Sequence, residues 1–209
     1  MKTTFKKIKK ANPCQDGWEK LICYYKPESY TEEVSIAEIV KSNGIKDAVW
    51  ALRCINNNDE IKKIYLFCAD IAESVLIVFE KKHPQDVRPR KAIEAIRSFV
   101  DDKISRYELN AAANAADAAG DAAYADDDAT NAAYAAAADA AANAAYAAGD
   151  AAHADDDATN AAYAAAAAAA AYAAYAAANA ADDAAANFAC DASKAKWQEI
   201  KELLLKYLQ

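Results

Sequence analysis

The sequence predicts an all-α protein, a multi-helical bundle with a long alanine-rich helical repeat region. Three observations predict it. From Asn110 to Asp191 alanine fills most positions, and Asp, Asn, Tyr and Gly supply nearly all the rest. Alanine loses no side-chain entropy in a helix and is favoured there over glycine by about 1 kcal/mol per residue. Upstream, apolar residues recur at three- and four-residue spacing in one segment after another. No segment shows the two-residue alternation of a half-buried strand.

The elements follow in order. Asn12-Pro13 reads as a helix start, with Asn as cap and Pro at the first helical position, and Trp18, Leu21, Ile22 and Tyr25 give an apolar face that Pro27 closes. Ser35 with Glu38 forms a capping box that opens a short helix ended by Gly44, with Ile36, Ile39 and Val40 inward. A helix from Ile45 to Ile55 follows, its buried side marked by Val49, Trp50, Leu52 and Ile55. Asn58-Asp59 caps the most apolar helix, in which Ile61, Ile64, Phe67, Ile71, Leu76 and Phe79 recur around most of the circumference, making it the centre of the core. After the turn from His83 to Pro89, a helix directs Ala92, Ile93, Ile96 and Phe99 inward. Ser105 and Glu108 form a second capping box that launches the alanine tract. Trp197, Ile200, Leu203, Leu204, Tyr207 and Leu208 mark a final amphipathic helix. Residues 1–104 thus read as a helical part with an apolar core, and 105–209 as the alanine-rich region with its closing helix, the two packed as one domain.

Within the tract, the block that begins at Gly120 returns from Gly149, a tandem duplication of 29 positions. Asn110, Asn114, Asp117, Asp121, Tyr124, Asp128, Asn131 and Tyr134 step by four and three, which lines them along one side of a helix. The same stepping returns in Asp139, Asn143, Tyr146, Asp150, His153, Asp157, Asn160 and Tyr163. The stripe reads either as the wet side of helices whose alanine side packs on a neighbour or as a recognition surface. Tyr124, Asp128, Asn131, Tyr134, Tyr146, Asp150, His153, Asp157, Asn160 and Tyr163 are the candidate partner-binding residues. One unbroken helix from Ser105 to Asp191 would measure about 130 Å. Breaks are therefore expected near 120–128 and 149–157, where Gly120 and Gly149 can end helices and runs of three Asp can start them.

Charge is segregated along the chain. Of a formal net charge of −8, residues 110–193 carry thirteen Asp and no Lys, Arg or Glu, which leaves the remainder at +5. The acidic part repels nucleic acid and attracts basic proteins, so no direct nucleic-acid partner is expected. The Lys-rich start (Lys2, Lys6, Lys7, Lys9, Lys10) reads as a solvated tail. No apolar run suits a membrane span once the Asp and Asn of the tract are counted, and the first residues lack the apolar core of a signal peptide. Five widely spaced cysteines without a Cys-x-x-Cys pair suit reduced thiols in a cytoplasmic protein.

Several stretches carry a resemblance: Asn12-Pro13-Cys14-Gln15-Asp16-Gly17, Asn43-Gly44, Ala48-Val49-Trp50-Ala51-Leu52-Arg53, Phe67-Cys68-Ala69-Asp70-Ile71-Ala72-Glu73, Phe79-Glu80-Lys81-Lys82-His83-Pro84, and Arg88-Pro89-Arg90-Lys91-Ala92-Ile93-Glu94-Ala95. Together with an alanine-rich region closing on Trp197-Gln198, the order resembles the bacterial and phage proteins of the immunity-protein-five-like group. The resemblance implies a binding role and brings no catalytic motif with it. Where the relatives' alanine tracts commonly carry Arg and Trp, this one carries Asp, Asn and Tyr.

The residues point away from catalysis and cofactors. The Asp runs at 126–128 and 155–157 lack the spacing, turn glycine and distal Glu of a calcium loop, His83 and His153 share no ligand pattern, and no phosphate loop or nucleophile elbow is present. Arg88, Arg90 and Lys91, beside His83, form a candidate anion-binding turn at a helix N-terminus, against the alternative that the Arg residues pair with nearby Asp or Glu. The expected function is a non-enzymatic binding protein that neutralises a basic protein partner, as an immunity protein against a toxin or as a phage counter-defence inhibitor. The alternatives are an acidic nucleic-acid mimic and a small-molecule sponge for nucleotide signals. A homo-oligomer is compatible with the sequence.

Overall fold

The computed structural model describes residues 1–124, 144–145 and 185–209. The elements are β1 (Lys2–Thr4), α1 (Phe5–Lys10), α2 (Gln15–Tyr25), β2 (Glu33–Ser35), α3 (Ile36–Ser42), α4 (Ile45–Ala51) with a 3-10 turn at Leu52–Cys54, α5 (Asn58–Lys82), α6 (Arg88–Val100), α7 (Arg106–Tyr124) and α8 (Ala185–Tyr207). The class is all-α, with one two-stranded antiparallel ribbon in which Thr3 faces Val34. Each strand has three residues, too few for an alternation to register in the sequence. The ribbon holds because Thr3 and Val34 are both buried, and Thr3 Oγ1 donates to the Cys54 carbonyl at 2.8 Å.

The amino-terminal segment corrects the expectation of a solvated tail. Phe5 and Ile8 of α1 are core residues, and Thr4 caps the helix by accepting from the Lys7 amide. The lysines between them face outward or lie part-buried, which disguised two apolar anchors three residues apart. The next helix also starts later than its proline suggests. Asn12 sits at φ 56° in the left-handed turn after α1, and Cys14 is the N-cap of α2.

Local signals elsewhere place the elements well. In the Ser35 box, the Glu38 amide donates to Ser35 Oγ at 3.2 Å and the Ser35 amide donates to Glu38 Oε2 at 3.0 Å. The Ser105 and Glu108 pair repeats this at the start of α7. The cap of α5 is Asn57, one residue earlier than expected, and its Oδ1 accepts from the Asp59 and Glu60 amides. The helix expected to reach Ile55 instead tightens into the 3-10 turn after Ala51. Phe67, Ile71, Leu76 and Phe79 of α5 are fully enclosed and form the centre of the core, joined by Ile93 and Ile96 of α6 and by Ile200 and Leu204 of α8.

α7 lies along α6 in the most extensive helix pairing among the described residues. Its inward face is Leu109, Ala113, Ala116 and Ala119, whose short side chains let the two helices approach closely. Gly120 itself does not end the helix: it is buried within α7, which continues through Tyr124, and the rest of the 120–128 window in which a break is expected lies outside the described residues. A single glycine costs a helix only about 1 kcal/mol, and the alanines on both sides offset that cost. The expected break at 149–157 lies outside the described residues. No helix among the described residues is long and apolar enough to cross a membrane.

Candidate functional site

Among the described residues, three places could meet a ligand or partner: the outer face of α7, the turn before α6, and a cavity among α2, α3 and α4. On α7, burial of the alanine side turns Tyr107, Ala111, Asn114 and Asp117 outward, with Tyr107 83% exposed. Of the polar stripe, Asn114 and Asp117 thus face solvent, whereas Asn110 at its start is half-buried with its Oδ1 enclosed. Tyr124 ends α7. Asp128, Asn131, Tyr134, Tyr146, Asp150, His153, Asp157, Asn160 and Tyr163 lie outside the described residues.

In the turn, the guanidinium groups already hold carboxylates. Arg88 grips Asp86 through Nε at 2.9 Å and a terminal nitrogen at 2.6 Å. Its guanidinium also holds the Asp86 carboxyl below the usual carboxylate range. Arg90 makes a two-pronged bond to Glu80, 2.8 Å on each prong, and donates to Glu73 at 2.6 Å. Of the three candidate anion ligands, Lys91 alone lies exposed at the helix surface.

The Arg90 contact belongs to a longer relay. Glu73 also accepts from Arg97 at 2.6 Å, Arg97 donates to Asp70 at 2.9 Å, and Asp70 accepts the Tyr207 hydroxyl at 2.7 Å. Hydrogen bonding from Arg97, with Arg90 adding to it, depresses the Glu73 carboxyl below its ordinary value. Burial raises the Tyr207 phenol well above the usual range, and its bond to Asp70 adds to this, so the hydroxyl stays protonated and donates. The relay Glu80, Arg90, Glu73, Arg97, Asp70 and Tyr207 ties α5, α6 and α8 together. It is a brace, formed largely by residues of the stretches quoted for the resemblance.

The cavity was not foreseen from the sequence. It has a volume of about 320 Å³, with Trp18 and Trp50 among its walls, Leu21 and Ile39 among its apolar lining, and a polar wall of Asn43 and Asp47. Asn43 Nδ2 donates to the Gly17 carbonyl at 2.7 Å and to Asp47 Oδ2 at 2.8 Å, while Asn43 Oδ1 accepts from the Ser42 hydroxyl at 2.8 Å. A side chain at 17 would crowd this wall, because its Cβ would stand 3.0 Å from Asp47 Oδ2 and 3.1 Å from Cys14 Sγ. Three of the quoted stretches, 12–17, 43–44 and 48–53, meet at this point. The signal in the sequence was that convergence, which no local pattern reveals.

Among the described residues no group of His, Cys, Asp and Glu is arranged to hold a metal ion. Cys54 and Cys68 are buried, and burial pushes their thiols up to about 11 and about 12, so both stay protonated at neutral pH.

No curated protein and no solved structure matches the chain. The sequence profile of the family described as Imm-5 like putative immunity protein matches residues 53–171, more than half of the chain, a span that takes in α5, α6, α7 and most of the brace. On that match, the chain belongs to the Imm-5 like family of immunity proteins.

Proposed function

We propose that the protein is a non-enzymatic binding protein that neutralises a basic protein partner, as an immunity protein against a toxin or as a phage counter-defence inhibitor. The observation that carries this reading is the division of α7 into two faces. Its weakly apolar side is used up against α6, while Tyr107, Asn114 and Asp117 face solvent in line with the acidic stripe. The helix lies inside the segment that matches the family. Carboxylates spread along a helix steer a basic partner, and tyrosines supply rigid contact area at small entropic cost.

The duplicated block supplies the test. Asp128→Asn combined with Asp157→Asn should change stability by no more than about 1 kcal/mol per substitution. The same pair should slow association with the co-purified partner at low salt and flatten its salt dependence, because steering charges act on the on-rate. Equal association rates for the double variant and the parent would refute the assignment of the stripe. DNA that displaced the partner would move the conclusion to the nucleic-acid mimic.

A further inference from the structure

We propose that the cavity among α2, α3 and α4 is a binding site for a guanine nucleotide, with the base against the indoles of its lining and its amino edge on Asp47. The hydrogen-bonding inventory leads there. Both Asn43 amide hydrogens are spent, one on the Gly17 carbonyl and one on Asp47 Oδ2, so Asn43 has no donor left for a ligand and holds the Asp47 carboxylate in the cavity wall. Asp47 is the only carboxylate in the lining, and a carboxylate accepts without donating, so a ligand that meets it brings hydrogen-bond donors, which a nucleobase supplies as N–H groups.

The walls and the charge narrow the choice. Trp18 and Trp50 favour a flat aromatic body. Four cations touch the lining residues: Lys46 is itself part of it, Lys20 Nζ donates to the Asn43 carbonyl at 3.3 Å, Lys9 Nζ lies 4.7 Å from the Trp18 ring centre, and Arg53 lies 4.6 Å from that of Trp50. A cationic ligand is opposed there and an anionic tail is favoured. Among nucleobases, guanine places N1–H and an N2 amino group side by side, and one carboxylate can accept both. Adenine and cytosine set a ring acceptor beside the amino group, and uracil flanks its N–H with carbonyl oxygens, so each turns a lone pair toward Asp47. The volume is at the small end for ligand sites, enough for a bicyclic base with its tail toward Lys46, which is exposed and whose ammonium lies 5.3 Å from the Trp197 ring centre.

The experiment is tryptophan quenching and thermal shift on the full chain with GMP, GTP, guanosine, AMP and XMP. GMP and GTP should quench saturably and raise the melting temperature, guanosine should bind more weakly for want of the tail, and AMP should fail at the same concentration. Asp47→Asn keeps an acceptor for Asn43 and replaces one acceptor by a donor. It should weaken GMP and strengthen XMP, whose N1–H and C2 carbonyl match the amide, by about tenfold or more each. Lys46→Gln should weaken GTP more than guanosine. Three results would each overturn the proposal: no saturable response to GMP at millimolar concentration, AMP binding as well as GMP, or an Asp47→Asn variant with the parent's base preference. The partner-neutralising reading does not depend on this site and stands or falls separately.

Discussion

Glu73 takes a guanidinium on each oxygen, Arg90 at 2.6 Å and Arg97 at 2.6 Å, and so joins the two halves of the brace. About a third of its side chain is exposed, so solvent screens the pair and the net contribution is smaller than for a fully enclosed ion pair. Its carboxyl is held below the ordinary 4.5, as is that of Glu38 by the Ser35 cap. A depressed carboxyl adds stability at pH above its unfolded value, and that stability is lost as pH falls through the folded value. The melting temperature should therefore fall on acidification below about pH 4.5. Glu73→Gln should cost about 1 kcal/mol or less at neutral pH and make this acid limb shallower. An acid limb with unchanged slope in the variant would show that Glu73 does not contribute to it.

At the scale of the element, α7 shows what an alanine helix can and cannot do. Each buried methyl contributes little, since burial is worth about 25 cal/mol per Å². The gain lies in close approach to α6, which larger side chains would prevent. Ala116 is fully buried and Ala118 is exposed, two residues apart on opposite faces. Ala116→Leu should destabilise by about 1–3 kcal/mol through overpacking. Ala118→Leu should stay within about 0.5 kcal/mol of the parent. Chemical denaturation of the two variants makes the comparison, and equal midpoints would refute the face assignment. The face itself was legible, because four-and-three stepping and a capping box are local signals. Gly120 could end a helix by its residue type alone, and it does not, because a glycine marks a helix end only when its neighbours stop favouring the helix, and here alanine-rich sequence continues on both sides.

Across the whole molecule, long-range pairings are what the sequence concealed. The β1–β2 ribbon, the choice of Glu80 and Glu73 as partners for Arg90, and the meeting of Cys14, Asn43 and Trp50 at one cavity all depend on chain separation, and no short pattern encodes them. The closing helix is the clearest case. Its amphipathic spacing was plain, yet only the fold brings Tyr207 onto Asp70 and within 6.0 Å of the Phe67 ring centre, and Trp197 under the Lys46 ammonium. Ile200 and Leu204 are buried against the same core, so residues 1–104 and the end of 105–209 should unfold as one unit. In a Trp197→Phe background, fluorescence reports Trp18 and Trp50 alone, both of them far from α8 in sequence. Leu204→Ala should lower the stability read by those two indoles by about 2–5 kcal/mol, the usual range for emptying a buried leucine site. Helical circular dichroism should fall in the same transition. An indole signal indifferent to Leu204→Ala, with dichroism lost separately, would mean that the two parts fold apart.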